Sequence, residues 1–367
     1  MLKEASRKTL RGLLRTVGRV PFARRALHWL SVSSRGAGVA VLRARRVVPS
    51  SGAGKKHPDR KNGSAMTPLE LERELKDAMG TLPFVHMSEA IEKLVSGDRL
   101  AASCAVLTFD ESFAATAELA LPVCRALGVP ATFFVTTAHL DDGRTLWDEE
   151  VRGCVERLAP MPLAVPWIDR VLRTDTPKRR ASAVRRLLLS LAALDEERLE
   201  RRLEELFAKA AGRPPAAPLD RMLARAEVAA LARDPLVTFG AHGHRHLPLA
   251  YASDRALEGE LVGPRKILRD LAGDSFVDVM SFPFGRAPYV DDRCVQAARH
   301  AGYRAAFSAE PGIARPGAHL FRLPRLPIGP SASGVAAYEL QGTFDAVDEI
   351  VMVASGERAR VDESLQG

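Results

Sequence analysis

The stretch Ala105–Thr136, AVLTFDESFAATAELALPVCRALGVPATFFVT, decides the fold class. Ala105–Phe109 is a short continuous apolar run of the kind buried on both faces of a parallel sheet. Ala114–Leu127 reads as a helix that stops at Gly128, and Ala131–Thr136 is a second strand rich in β-branched and aromatic residues. A strand, a helix and a strand at this spacing argue for a parallel sheet or a barrel.

The same rhythm continues on both sides. Downstream come Leu236–Ala241 (LVTFGA), a helix around Asp254–Ala272, a strand at Phe276–Phe282, a helix through His300, and a strand at Tyr303–Phe307. Upstream, Gly38–Val48 reads as a strand, residues 49–66 as a polar Gly/Ser/Lys loop, and Thr67-Pro68 as a helix start with Glu70 placed for a capping box. Residues from about 148 to 233 break the rhythm. They are rich in Arg, Leu, Ala and Glu, and are expected to be helical throughout, without site residues, beside the barrel mouth. The expected organisation is a basic segment 1–36, a barrel over 37–330 carrying that insert, and a tail 331–367 without motifs.

Charge is unevenly spread. Residues 1–62 hold 16 Lys and Arg against Glu4 and Asp59, while the rest carries 37 basic against 43 acidic residues. The net charge of +8 is therefore an N-terminal property, and no nucleic-acid-binding motif accompanies it. Leu10, Leu13, Leu14 and Val17 follow helical spacing among Arg and Lys. Such a helix either docks on its own domain or lies peripherally on an anionic membrane face. Arg24 and Arg25 interrupt any apolar core of a secretory signal, and no run reaches the ~20 residues a spanning helix needs. Cys104, Cys124, Cys154 and Cys294 have no metal-ligand spacing, so reduced thiols in the cytoplasm are expected.

Three stretches carry chemistry. AHGHRHLPL places His242, His244 and His246 directly after a strand, and the i, i+4 pair can converge on one metal ion. A polar loop that happens to hold histidines is the plain alternative. VLTFDES ends a buried strand with Asp110 and Glu111, where barrels keep their reactive groups. One carboxylate can hold a metal while the other accepts a proton from water, or the pair can simply start the next helix. SFPFG, Ser281–Gly285, is a turn stiffened by Pro283, in which the Phe284 backbone N–H can serve as an oxyanion donor.

At these residues the chain resembles the NodB-homology polysaccharide deacetylases, carbohydrate esterase family 4, over roughly residues 37–330. TFDES resembles the family's TFDDG, HGHRH its H-(Ser/Thr)-x-x-H, and SFPFG its YPYG-type motif. Three longer stretches read like the family in the same order: residues 119–150, ending in LWDEE with Trp147, then residues 222–242, then residues 302–328. The helical insert is similar to that of one bacterial branch. The resemblance implies a deformed (β/α) barrel that hydrolyses N-acetyl groups of an amino-sugar glycan or glycolipid with a divalent metal, Zn2+ foremost. It makes Asp110 the general base, Glu111, His242 and His246 the metal ligands, and the Phe284 N–H the oxyanion donor. His244, Pro283 and Trp147 become supporting or substrate-facing residues. The ligand atoms are then expected around one ion at about 2.0–2.2 Å.

Departures set the rival expectation. Glu111 and Ser112 stand where the family has Asp and Gly. VLRARRVVP, Val41–Pro49, puts Arg45 at the position of the His that acts as acid in this branch. Arginine donates no proton at neutral pH, although it can bind an oxyanion, phosphate or carboxylate. Arg45 is expected beside Asp110, lowering its pKa. The alternative is a weakened or inactive relative that binds glycan. A non-haem iron enzyme would use the same ligand set, but nothing in the sequence supplies an oxygenase's other parts.

Overall fold

Alternate residues of the strands enter two different cores, as a sheet rolled on itself requires. In this computed structural model, residues 36–51, 60, 65–142, 145–211 and 221–329 are described. The helix expected before residue 36 and the tail after 330 lie outside them. Strands β1 (Val39–Ala44), β2 (Arg46–Val47), β3 (Ala65–Met66), β4 (Cys104–Phe109), β5 (Ala131–Val135), β6 (Val237–Ala241), β7 (Phe276–Ser281), β8 (Ala305–Phe307) and β9 (Leu326–Pro327) form two sheets. The main sheet is parallel, in the order β8-β7-β6-β5-β4-β1-β9, and β2 pairs with β3. The single apolar run Gly38–Val48 is thus two strands, broken at Arg45, and the expected loop 49–66 ends in β3.

The fold is an α/β one with a curled, open half-barrel, which is the deformed barrel expected. Its edges β8 and β9 are not paired with each other. The chain leading into β9 spans the gap, because Leu323 bridges Phe307 while Leu326 pairs with Leu42. Val39 and Val41, Cys104 and Val106, and Val277 and Val279 face inward with Phe134 and Phe307. Their neighbours Ala40, Leu42, Leu107 and Met280 face outward, into the larger core beneath the helices. Gly240 is required inside, since a Cβ there would lie 2.6 Å from the Phe134 ring.

The helices are α1 (Pro68–Met79), α2 (Met87–Val95), α3 (Ala114–Leu127), α4 (Trp147–Leu158), α5 (Pro177–Leu191), α6 (Glu196–Ala208), α7 (Arg225–Leu231), α8 (Asp254–Ala272) and α9 (Asp292–His300). Thr67 and Glu70 form the capping box of α1, and Gly128 closes α3 at φ 64°. Helix α2, absent from the sequence reading, sends Met87, Ile91 and Leu94 into the inner core. Phe84, just before it, bridges Ala105 near the start of β4, so α2 seals the N-terminal end of the barrel. The segment 148–233 is not helical throughout. Residues 159–176 run between α4 and α5 as irregular chain with a Leu163–Leu172 bridge, and the helices join the main outer core. No helix of the described residues is long and apolar enough to cross a membrane. All four cysteines are buried and unpaired.

Candidate metal centre

In a parallel sheet every strand delivers its last residue to the same rim, and strand parity decides what points inward. Continuing the inward series of β4 brings Asp110 to that rim; β6 brings His242, β7 brings Ser281 and β1 brings Arg43. All lie in or directly after these strands. Asp110 is buried and held from several sides. Arg325 donates to both its oxygens, Nη1 to Oδ1 at 2.7 Å and Nη2 to Oδ2 at 2.9 Å. Ser281 Oγ donates to Oδ1 at 3.1 Å, and Arg43 Nη1 lies 3.9 Å from Oδ2. Burial alone would raise this carboxyl, but Arg325, with His242 and Arg43, holds it well below the usual carboxylate range.

Glu111, His242 and His246, all buried, each bring a ligand atom within 4.8 Å of the others. Their donor set fits a divalent cation, and the orientation of the rings supports this. His242 Nδ1 lies 2.9 Å from the Ser281 carbonyl oxygen, an acceptor only, so the proton sits on Nδ1 and Nε2 keeps its lone pair. Burial, outweighing the nearby Asp110 carboxylate, pushes the His242 pKa down to about 4, which leaves a neutral imidazole. His246 Nδ1 faces Asp148 Oδ1 at 3.5 Å. Burial disfavours its charge, but Asp148 overrides this and raises its pKa. A ring nitrogen turned to a carbonyl or carboxylate is the usual support of a metal-binding histidine.

Backbone strain marks the same place. Among the described residues the non-glycine positions with positive φ are Glu111 (67°), Ser112 (40°), His246 (60°) and Phe284 (60°). Such conformations cost about 1–3 kcal/mol each and persist where surrounding structure enforces them. Ser112 adopts the turn and anchors it by donating Oγ–H to the Phe134 carbonyl at 2.7 Å. Phe284 lies against His246, with ring centroids 4.9 Å apart, and against Trp147 at 6.1 Å. The Phe284 N–H makes no hydrogen bond to a described residue.

Arg45 does not sit as expected. Its Nε donates to both oxygens of Glu111, at 2.9 and 3.0 Å, and its Nη2 lies 3.3 Å from Glu149 Oε1. The arginines that act on Asp110 are Arg325 and Arg43. The reason is the break after β1, which turns Arg45 out of the inward series toward the start of α4. That helix begins with Trp147, named among the supporting residues, whose indole N–H donates to the His246 carbonyl at 3.0 Å, and the segment from 148 on, expected to be free of site residues, supplies Asp148 and Glu149.

The other named residues support the loop. His244 Nδ1 is 2.9 Å from Thr137 Oγ1, away from the ligand set. Pro283 packs against Gly243, where a Cβ would meet its ring at 3.3 Å. Sequence reasoning missed Arg325, Arg43, Asp148 and Glu260. Buried Glu260 of α8 accepts the backbone N–H groups of His244 (3.0 Å), Arg245 (2.8 Å) and Leu247 (3.5 Å), fixing the loop between the two histidines. Its signal was weak: one glutamate at an otherwise apolar position of an amphipathic helix.

A family model, polysaccharide deacetylase, matches residues 201–306, which include AHGHRHLPL and SFPFG but not VLTFDES. The structure of the Streptococcus pyogenes deacetylase PplD in complex with acetate is similar, with 15% identity and a TM-score of 0.54, over 83% of this chain and 98% of that one. So is IcaB from Ammonifex degensii, with 17% identity and a TM-score of 0.50, over the same shares. The fold is that of the polysaccharide deacetylases. Among curated protein sequences none matches significantly.

Proposed function

We propose that this protein is a member of the polysaccharide deacetylase family and a metal-dependent hydrolase of N-acetyl groups on an amino-sugar glycan or glycolipid. The observation that carries this is the meeting of Glu111, His242 and His246 beside a second, ionised carboxylate, Asp110. Glu111, His242 and His246 would hold the ion, and two imidazoles with one carboxylate suit Zn2+. A divalent ion there supplies Lewis acidity toward an acyl oxygen. Asp110, kept charged by Arg325, accepts a proton from water. Its depressed pKa makes it a weak base. The Phe284 N–H donates to the oxyanion of the tetrahedral intermediate, while the rings of Phe284 and Trp147 wall the site from bulk water. The basic charge of residues 1–62 supports a cytoplasmic protein that meets an anionic membrane face peripherally.

The test is acetate release from chito-oligosaccharides and lipid-linked N-acetyl amino sugars, with and without added zinc. Wild-type protein should show metal-dependent release, and Asp110→Asn should lower it by about 10²–10⁴-fold. One observation favours a second reading, a weakened relative that binds glycan: Arg45 occupies both oxygens of Glu111. Protein that purifies without metal and takes up none at micromolar zinc would establish that reading instead.

A further inference from the structure

Helices α5 and α6 of the insert carry charge in opposite ways. In α6, five glutamates are mixed with three arginines, as on an ordinary solvated face. In α5, Lys178, Arg179, Arg180, Arg185 and Arg186 stand without a single carboxylate. Three of them lie in the first turn, where the helix dipole disfavours cations and repulsion between neighbours adds to the cost. The end is held from outside the helix, by the Thr176 side-chain cap and by Asp175, which pairs with Arg179. The packing of α5 does not need these charges, since its buried side consists of Ala183, Val184, Leu187 and Leu191.

The opposite side of α5 is a stripe. Lys178, Ser182, Arg185, Arg186 and Leu189 are all exposed, at the helical spacing i, i+4, i+7, i+8 and i+11, over about 16 Å. The preceding chain extends it. Leu163 and Leu172 exchange both backbone hydrogen bonds at 2.8 Å and are buried. The alternate residues Pro162, Ala164, Val171 and Arg173 therefore face outward, and all four are exposed. Asp175 joins the two parts, because Arg173 and Arg179 both pair with it. Arg180 pairs with Glu156, while Lys178, Arg185 and Arg186 have no carboxylate partner among the described residues. Between these cations Val171 and Leu189, at opposite ends of the surface, are each more than half exposed.

We propose that this face of α5 and of residues 162–173 is a docking surface for an anionic lipid bilayer, a contact separate from the basic segment 1–62. The mixture of side chains selects a bilayer over a soluble polyphosphate. Lys and Arg reach headgroup phosphates at the end of apolar stems, while Val171 and Leu189 are stabilised only by an apolar layer lying between those phosphates. Docking has a direction as well. Arg180 Nε donates to Glu156 Oε1 at 3.1 Å, toward the end of α4 that lies away from Trp147. The other end of α5 leads through residues 192–195 to Glu196, which accepts the Ser253 N–H at 2.9 Å, just past the histidine loop. Leu189 thus marks the end nearer the rim, and contact through α5 holds the rim beside the bilayer. Binding of this kind stands whatever the rim hydrolyses.

All four cysteines are buried, so Leu189→Cys in the full chain can carry an environment-sensitive dye at that one position. Vesicles of mixed phosphatidylglycerol and phosphatidylcholine should shift its emission to the blue, and a nitroxide-labelled lipid in them should quench it. Vesicles of phosphatidylcholine alone should do neither. The same dye at Val95→Cys, on α2 at the opposite end of the barrel, should not respond. In sedimentation with the anionic vesicles, the double variant Arg185→Gln, Arg186→Gln should bind about 30-fold more weakly than the wild type, with an unchanged thermal melt. Vesicle binding with no response from the dye at position 189, or with unchanged affinity in the double variant, overturns this surface and assigns the contact to residues 1–62. Absence of binding to anionic vesicles overturns it outright. A dye response to polyuridylate without one to vesicles overturns the bilayer in favour of a polyphosphate.

Discussion

Arg45 and Glu111 are bound to each other through one guanidinium nitrogen and two carboxylate oxygens, at 2.9 and 3.0 Å. A metal ligand so engaged must give up a charge-assisted hydrogen bond, worth about 1.5–3 kcal/mol, before it can turn fully to a cation. Replacing the guanidinium by a neutral amide removes that competitor and one nearby positive charge. Arg45→Gln should therefore tighten zinc binding by about 10–100-fold, measured by competition with a chromogenic chelator. Weaker binding in the variant would mean that Arg45 orients Glu111 rather than competing for it. Single residues were legible in the sequence where type and spacing mattered: His242 and His246 as an i, i+4 pair, and Asp110 and Glu111 at a strand end. Their ionic partners were not. Arg325 lies 215 positions from Asp110, and only the curling of the sheet joins them. Arg45 was expected beside Asp110, but after the break that follows β1 its guanidinium is paired with Glu111.

The element that carries both histidines is a short loop, and its shape comes from α8 and α4. Glu260 gathers three backbone donors of residues 244–247, while Gly243, at φ 75°, passes so near that a Cβ would lie 2.7 Å from Glu260 Oε2. Glu260→Ala would leave those donors without an acceptor in a buried place, which costs about 1–3 kcal/mol per group at most. The expected result is a lower melting temperature together with at least 10-fold weaker zinc binding. Asp148→Asn removes the carboxylate that faces His246 Nδ1 and Arg45 Nη2 but leaves the loop amides their acceptor, so zinc binding should fall about 10-fold or more with a smaller loss of thermal stability than in Glu260→Ala. Isothermal titration with zinc, run beside thermal melts, separates the two. Loss of stability without loss of affinity in Glu260→Ala would show that the loop keeps its shape unaided. Strand and helix order was legible because apolar runs and caps are local signals. The dependence of the loop on α4 was not, since the Arg- and Glu-rich composition of 148–233 resembles any solvated helix pair. Deleting that whole segment is accordingly expected to weaken metal binding, because Asp148 leaves with it.

Across the whole molecule, the half-barrel is bridged by the chain leading into β9, and that chain carries Arg325 inward to Asp110. Fold closure and the charge state of the rim are therefore one event, and acid should act on both. In metal-free protein, His242 has a pKa near 4 against an ordinary 6.5. Between those values the unfolded chain binds the proton and the folded chain does not, so stability falls as pH drops through this window, by up to about 3 kcal/mol. His246 has the opposite sign. Its raised pKa contributes stability that is complete below its ordinary value and fades as pH rises through the folded one. Asp110 and Asp148, both depressed, contribute stability above the ordinary carboxylate pKa that is lost only at lower pH, below about 4. Between pH 6.5 and 4.5 His242 acts together with His244, which burial also depresses, while the carboxyls of Glu149 and Glu260, raised by burial, act with the opposite sign. Urea unfolding of the metal-free protein across that range should therefore show less loss of stability on acidification in His242→Gln, whose amide does not titrate, than in the wild type. An unchanged slope in the variant would place the acid-sensitive group elsewhere, and would mean that His242 is not held neutral by its burial.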